Sequence, residues 1–172
     1  MTTSLATIHS TAAEVVPYRL SLETPVGWVA LTANDSALTS LNWGRPGKNR
    51  PSPLLERAAA QLKAYFAGSL KSFDLPLAPA GSEHERSVWA ELCRIPYGET
   101  ITYGEMARRT GSMARAVGGA CGANPIAIVI PCHRVTAAGG ALGGYSGAGG
   151  PATKQKLLAL EGRNSGIFAL TP

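Results

Sequence analysis

An α+β fold in two parts is what this sequence predicts: a small N-terminal antiparallel sheet with one helix, then a mainly helical C-terminal part containing a helix-turn-helix. Three observations carry that expectation. Residues 18–43 hold three short apolar runs separated by turn residues. Later segments place apolar residues at helical spacing behind Ser or Thr caps. Between them lies Leu75-Pro76-Leu77-Ala78-Pro79-Ala80-Gly81, a proline-rich connector. The expected organisation is a flexible tail at 1–16, an N-terminal α/β domain at 17–75, a linker at 76–81 and a C-terminal domain at 82–172.

Tyr18-Arg19-Leu20-Ser21-Leu22 alternates with period two and predicts a strand. Thr24-Pro25-Val26-Gly27 is a turn in which proline fixes φ and glycine permits a positive one. Trp28 to Thr32 predicts a second strand, Asn34-Asp35 a second turn, and Ala37 to Trp43 a third strand, giving an antiparallel meander. Gly44 to Pro53 is a polar loop carrying Arg45, Lys48 and Arg50. Ser52 then caps a helix with Pro53 at its first position. Leu54, Leu55, Ala58, Ala59, Leu62, Tyr65 and Phe66 form its apolar stripe, and Gly68 ends it. Nothing in this half points to catalysis, so its expected task is to pack behind the second.

Ser82 with Glu85 makes a capping box that opens the second part. Val88, Trp89, Leu92 and Cys93 share a helix face, which assigns Cys93 to the core. Pro96-Tyr97-Gly98 is a turn, and Thr102 with Glu105 reads as a second capping box before a helix from Tyr103 to about Arg109. Thr110-Gly111-Ser112 turns the chain into a helix from Met113 to Ala123. Two short helices around a glycine-containing turn predict the helix-turn-helix. Its second helix is built from Ala114, Ala116, Gly118, Gly119, Ala120, Gly122 and Ala123. Glycine inside a helix costs about 1 kcal/mol relative to alanine. Such a face serves either tight packing on a neighbouring helix or close approach to a groove. Cys121 counts as another small packing residue.

The chain is arranged around Asn124-Pro125-Ile126-Ala127-Ile128-Val129-Ile130-Pro131-Cys132-His133-Arg134-Val135. The five apolar residues from Ile126 predict a short extended segment buried on both faces, bounded by Pro125 and Pro131. A lone cysteine is most often an inert core residue, but packing does not call for His133 and Arg134 beside it. Neighbours in an extended chain point to opposite faces, so His133 is expected to activate the Cys132 thiol through a bridging water, with a third group orienting the imidazole. Gly139 to Gly150 places seven glycines around Tyr145 and Ser146. No Lys-Ser/Thr follows, so a phosphate loop fits poorly; a linker or a binding loop walled by Tyr145 remains. Pro151 opens a last helix, Lys154 to Glu161, stopped by Gly162.

The 172 residues are 45% hydrophobic and 16% charged, which describes a globular protein. No apolar run approaches the roughly 20 residues of a membrane span. Three cysteines without paired spacing argue against a disulfide framework and for a reducing compartment. His9 and His84 stand apart from any cysteine, so neither a metal site nor a cofactor is expected. The net charge is +5, and no acid lies between Glu105 and Glu161, where Arg108, Arg109, Arg115, Arg134, Lys154 and Lys156 all fall. Such a stretch would attract a polyanion, or form a solvated face.

Asn124-Pro125, the apolar run and Ile130-Pro131-Cys132-His133-Arg134-Val135 closely resemble the active-site signature of O6-alkylguanine-DNA alkyltransferases. Ile95-Pro96-Tyr97-Gly98-Glu99-Thr100, Thr102-Tyr103-Gly104-Glu105 and the Leu157-Leu158-Ala159-Leu160-Glu161-Gly162 run extend the likeness over about residues 83 to 163, and Thr24-Pro25-Val26-Gly27 adds a looser one. The resemblance implies single-use transfer of an alkyl group from O6-alkylguanine, or O4-alkylthymine, in duplex DNA to Cys132. His133 would take the thiol proton through a water, Glu161 would hold His133 as an imidazolium, and Asn124 would brace the segment. Arg115 would fill the stack after the base flips out, and Tyr103 would crowd the flanking phosphate and donate to the departing guanine. Arg134, Val135, Tyr145, Ser146, Ala116 and Gly118 complete the implied substrate and DNA contacts. The implied partner is alkylated double-stranded DNA, bound by a monomer, with cooperativity on DNA left open, in the bacterial cytosol or nucleoid. The turn before Met113 is shorter, and the loop before the last helix longer, than in some relatives. Two alternatives stay open: a non-catalytic binder of alkylated DNA, and a Cys-His hydrolase or acyltransferase.

Overall fold

The computed structural model describes residues 16–45 and 47–162. Apart from Val16, the expected flexible tail lies outside the described residues. Strands β1 (Tyr18–Thr24), β2 (Gly27–Ala33) and β3 (Leu38–Trp43) form an antiparallel sheet in the order β1-β2-β3. The turn chemistry is as the sequence predicts. Thr24 Oγ1 donates to the Gly27 carbonyl at 2.6 Å, and Asn34 Oδ1 accepts from the Ser36 and Ala37 amides at 2.9 and 2.8 Å. Helix α1 (Pro53–Phe66) lies on the sheet, with the Ser52 hydroxyl accepting from Leu55 N at its start. Leu55, Ala58, Leu62 and Tyr65 of α1 are fully buried against Val29, Leu31, Leu38 and Leu41.

The proline-rich connector is tied to this sheet. Leu38 N donates to the Pro76 carbonyl and Ala78 N to the Leu38 carbonyl, both at 2.9 Å, so residues 76–78 satisfy part of the outer edge of β3. Beyond it, α2 (Glu83–Leu92) opens with the full capping box: Glu85 N donates to Ser82 Oγ, and Ser82 N to Glu85 Oε2. A two-residue strand, β4 (Ile101–Thr102), leads into α3 (Tyr103–Thr110). Only half of the second capping box forms. Thr102 Oγ1 accepts from Glu105 N, while the Glu105 carboxylate turns outward to Arg108 and Arg109. Gly111, at φ +62°, stops α3, and α4 (Ala114–Gly122) completes the helix-turn-helix. The Trp89 indole donates to the Ala120 carbonyl at 2.8 Å and locks α2 to α4. Among the described residues, no helix is long and apolar enough to cross a membrane.

Two further sequence expectations fail, each for a local reason. Cys93 is exposed because α2 ends one residue earlier, at Leu92, and leaves it at the C-cap instead of on the buried face. Residues 126–130 are buried but not extended. Ile130 N donates to the Ile126 carbonyl at 2.9 Å, and Ile128 takes φ +74°, so the segment folds back on itself. Asn124 makes this possible: its Oδ1 accepts from Ile126 N at 3.0 Å and its Nδ2 donates to the Ile130 carbonyl at 2.8 Å. An apolar run looks the same to a period argument whether a ladder or a side-chain clamp satisfies its backbone. The sheet adds a third hold, because Leu41 N donates to the Pro125 carbonyl at 2.8 Å.

From this knot the chain makes one 3₁₀ turn, Cys132–Arg134, and then β5 (Val135–Thr136) pairs in parallel with β4. A glycine-rich loop leads to α5 (Pro151–Leu160). A left-handed β-branched residue costs about 1–3 kcal/mol and persists only where its surroundings over-determine it. Asn124→Ala removes two of those determinants; the buried Ile126 amide loses its partner, while the Ile130 carbonyl keeps only its bond from Cys132 N. The substitution is expected to lower stability by about 1–3 kcal/mol, read as a reduced urea midpoint; an unchanged midpoint would show that burial alone holds the turn.

Candidate active site

Cys132 lies at the floor of an open cavity of about 590 Å³ and is itself only 4% exposed. One wall is Tyr103 with Ala114, Gly118, Cys121 and Gly122 of α4; the other is Gly144, Tyr145 and Ser146. A Cβ built on Gly118, Gly119 or Gly122 would meet nothing within 4 Å. Tight helix packing therefore does not explain these glycines, and the reading that remains is an open, shallow face beside the thiol. Cys121 packs at that face and also lines the cavity.

The opposite wall is held by both halves of the chain. Trp43, the last residue of β3, meets the Tyr145 ring edge-on at 6.5 Å, and a Cβ on Gly147 would collide with both rings. Lys154 is fully buried; its Nζ donates to the Val135 carbonyl at 2.6 Å and the Gly144 carbonyl at 3.1 Å, 5.6 Å from the Tyr103 ring centre. One ammonium thus pins the glycine-rich loop to β5. Burial holds its pKa below the usual lysine value. Neither Trp43 nor Lys154 is legible as a site residue from sequence, since one reads as a strand end and the other as a surface cation. Burial likewise pushes the Tyr103 phenol up to about 12, so it keeps its proton at neutral pH.

Behind the thiol is one carboxylate. Glu161 Oε1 lies 2.8 Å from His133 Nε2, 2.7 Å from the Tyr65 hydroxyl and 3.0 Å from Arg134 Nη2. Its Oε2 accepts from Arg134 Nε at 2.9 Å and Gly98 N at 3.2 Å. Burial alone would raise the Glu161 pKa, but the hydrogen bonds from His133, Arg134 and Tyr65 outweigh it and bring it down to about 2. The carboxylate is ionised, so the proton it faces on His133 is on Nε2. The other nitrogen, Nδ1, is buried without a partner among the described residues. Burial lowers the His133 pKa despite the pull of Glu161, and raises the Cys132 pKa despite hydrogen bonding from Asn124 and the charge of Lys154. The resting pair is neutral thiol and neutral imidazole. A standing imidazolium does not form, because Arg134 already balances Glu161 and both ring and thiol are out of water.

The predicted residues therefore divide. Tyr103, Gly118, Tyr145 and Ser146 share the cavity with Cys132; His133, Glu161 and Asn124 stand behind it. Arg115 is exposed and Ala116 half-buried on α4, and neither lines the cavity. Arg134 is turned inward, bonded to Glu161 and to the Ile95 carbonyl at 2.6 Å, so its guanidinium is not offered to DNA. The Val135 side chain is buried too, leaving only its backbone as a contact. The acid-free stretch is correspondingly less cationic at its surface: Arg134 and Lys154 are internal, and Arg108 and Arg109 pair with Glu105. Tyr65 was missed because it sits on an ordinary apolar stripe 96 residues from Glu161.

Known proteins resemble this chain over both of its parts. Residues 83–163 match the family model described as 6-O-methylguanine DNA methyltransferase, DNA binding domain, and residues 18–79 match the ribonuclease-like domain of the same family. The chain is 46% identical over 155 residues to a methylated-DNA–protein-cysteine methyltransferase of Methanosarcina acetivorans, covering 84% of this chain and 98% of that one. A relative of the same name from Mycolicibacterium paratuberculosis is 47% identical over 160 residues, covering 88% and 95%. The crystal structure of Mycobacterium tuberculosis OGT in complex with DNA superposes with a TM-score of 0.75 at 43% identity, over 84% of this chain and 92% of that one.

The carboxylate cluster has a signed pH consequence. The Glu161 pKa, about 2 when folded, lies below its ordinary 4.5, so its stabilisation is whole above pH 4.5 and is lost as the pH falls towards 2. Glu161→Gln strands a buried guanidinium and is expected to cost about 3–5 kcal/mol at pH 7. The gap between wild type and variant, read from urea unfolding, should narrow at pH 3; a gap independent of pH would mean that the ion pair contributes nothing.

Proposed function

The chain belongs to the 6-O-methylguanine DNA methyltransferase family, a family of DNA-repair proteins that move a methyl group from DNA to a protein cysteine, and on that premise we propose that Cys132 is the acceptor. The observation that carries this assignment is a thiol lining an open cavity, followed in the chain by an imidazole whose Nε2 is anchored on Glu161 and whose buried Nδ1 has no partner among the described residues. A cavity of this size is in the range that holds a small planar ligand.

The substrate is O6-alkylguanine in duplex DNA, with O4-alkylthymine as a second lesion. The alkyl carbon lies inside the base stack, so the nucleotide must first swing out, at a cost of a few kcal/mol. The shallow α4 face admits the backbone, Arg115 at its exposed start enters the gap, and Tyr103 turns the flanking phosphate. Tyr145, Ser146 and the backbone around Cys132 and Val135 receive the base. As the sulfur attacks the alkyl carbon, the thiol proton passes through a water to His133 Nδ1 and the carbon–oxygen bond breaks. The displaced guanine oxygen takes the bonding electrons, and the un-ionised Tyr103 hydroxyl donates to the departing base. The sulfur keeps the alkyl group as a thioether, which water does not cleave, so each molecule acts once. All of these groups are in one chain, so a monomer suffices. A free thiol nucleophile needs reducing surroundings, which supports action in the cytosol.

A Cys-His hydrolase would need a cleavable acyl intermediate, and turnover on an ester would reveal it. A non-catalytic binder would leave Cys132 unmodified. Incubation with O6-methylguanine duplex followed by peptide mass spectrometry should find one methyl group on Cys132 and none on Cys93 or Cys121. Repeated turnover, or methylation elsewhere, would falsify the assignment.

The flipping roles predict a substrate-dependent loss. Arg115→Ala and Tyr103→Ala should slow repair of duplex DNA on the order of 10–1,000-fold, the rate equivalent of a few kcal/mol. The slower reaction with free O6-alkylguanine base should change little. Equal losses on both substrates would reassign these residues to the pocket itself.

A further inference from the structure

Tyr65 belongs to the half of the chain in which the sequence shows no chemistry, yet it reaches the reactive pair. It is fully buried in α1, donates its hydroxyl to Glu161 Oε1 at 2.7 Å, and holds its oxygen 3.5 Å from His133 Nε2. The rings of Phe66, Phe73 and Tyr97 stand 5.3, 5.4 and 6.1 Å from its own, so the phenol has no room to swing away. We propose that Tyr65 is a positioning residue for alkyl transfer: it fixes the Glu161 carboxylate so that His133 carries its proton on Nε2 and presents a bare Nδ1 to the Cys132 side. This rests on the assignment of Cys132 as acceptor and adds the α1 helix to the machinery that serves it.

The Glu161 carboxylate is saturated with donors. Oε1 faces three donors and Oε2 two, so the carboxylate can take up a proton only by expelling one of them. It therefore acts as a pure acceptor, which fixes the tautomer of the imidazole. Without the phenol, Oε1 loses one of its two shortest partners, and the balance of donors that keeps the ring neutral with its proton on Nε2 is disturbed. The groups facing His133 are Glu161 and Lys154 from α5, Arg134 and Cys132 from the 3₁₀ turn, and Tyr65 from α1, with Tyr97 behind it. Arg134 and Lys154 oppose a charge on the ring, and Glu161 favours it. Removing the Tyr65 donor leaves more negative charge on Oε1 for the ring, so His133 should bind its second proton more readily.

The test is Tyr65→Phe in the full chain, which keeps the ring and deletes the hydroxyl. Single-turnover methyl transfer at neutral pH should slow on the order of 10-fold, part of what a well-placed general base contributes. The acid limb of the pH profile should move to higher pH, with DNA affinity unchanged. ¹⁵N-edited NMR of the His133 ring, with no DNA present, should show the neutral Nε2–H form in wild type and a larger share of the doubly protonated ring in the variant at the same pH. Leu62→Val, on the same buried stripe of α1 but off the carboxylate, should change neither pH profile nor ring protonation. Should Tyr65→Phe fail to fold, 3-fluorotyrosine at position 65, a stronger donor, should move the acid limb to lower pH. A Tyr65→Phe protein that matches Leu62→Val in profile and ring protonation, or a fluorotyrosine protein without a shift, overturns the proposal. Failure of wild type to methylate Cys132 would sink the functional assignment instead, and the NMR result would still decide the role of Tyr65.

Discussion

A single buried carboxylate organises this protein. Glu161 stands at the end of α5 and gathers His133 and Arg134 from the 3₁₀ turn, Tyr65 from α1 and the Gly98 amide from the turn before β4. Four segments far apart in sequence thus meet on two oxygen atoms. The approach is close enough to restrict Gly98: it takes φ +79°, and a Cβ there would stand 2.9 Å from the Glu161 carbonyl. Burying such a group is unfavourable unless every lone pair is met and the charge is balanced. Five donors and one guanidinium meet both conditions, and the same donors determine which histidine nitrogen faces the thiol.

The cavity follows a complementary logic. Its α4 wall is made of residues with almost no side chain, which leaves room for a large polyanion to approach. Its other wall needs rigidity but is drawn from a glycine-rich loop, which has none of its own. The rigidity is supplied from outside: Lys154 ties the loop to β5, and Trp43 backs Tyr145 from the N-terminal sheet. The first half of the chain is therefore more than a support behind the second. Leu41 grips the Pro125 carbonyl, Trp43 braces the cavity and Tyr65 touches the Glu161 carboxylate.

The reactive pair rests uncharged. Burial acts on the thiol and the imidazole in opposite directions, and both shifts favour the neutral forms. A thiolate is the form open to oxidants and other electrophiles, and a buried neutral thiol is far less reactive. Arg134 contributes to this state by cancelling the charge of Glu161, a task that its position in a basic stretch did not suggest.

Sequence alone determined what is written in local rules. The meander, the Ser52 and Ser82 caps and the helix-turn-helix depend on residue type and short spacing, and they hold in the structure. Tertiary structure decided what local rules leave degenerate. A buried apolar run is compatible with a strand or a clamped turn, and the Asn124 side chain settled it at Ile128. A cysteine near the end of a helix is buried or exposed according to where that helix stops, and Cys93 fell on the exposed side. Cations in an acid-free stretch face water or a buried partner according to what the fold brings to them. Arg134 met Glu161, Lys154 met two carbonyls, and Tyr65 met a carboxylate 96 residues away, encounters that no periodicity records because they are made across the packed interior.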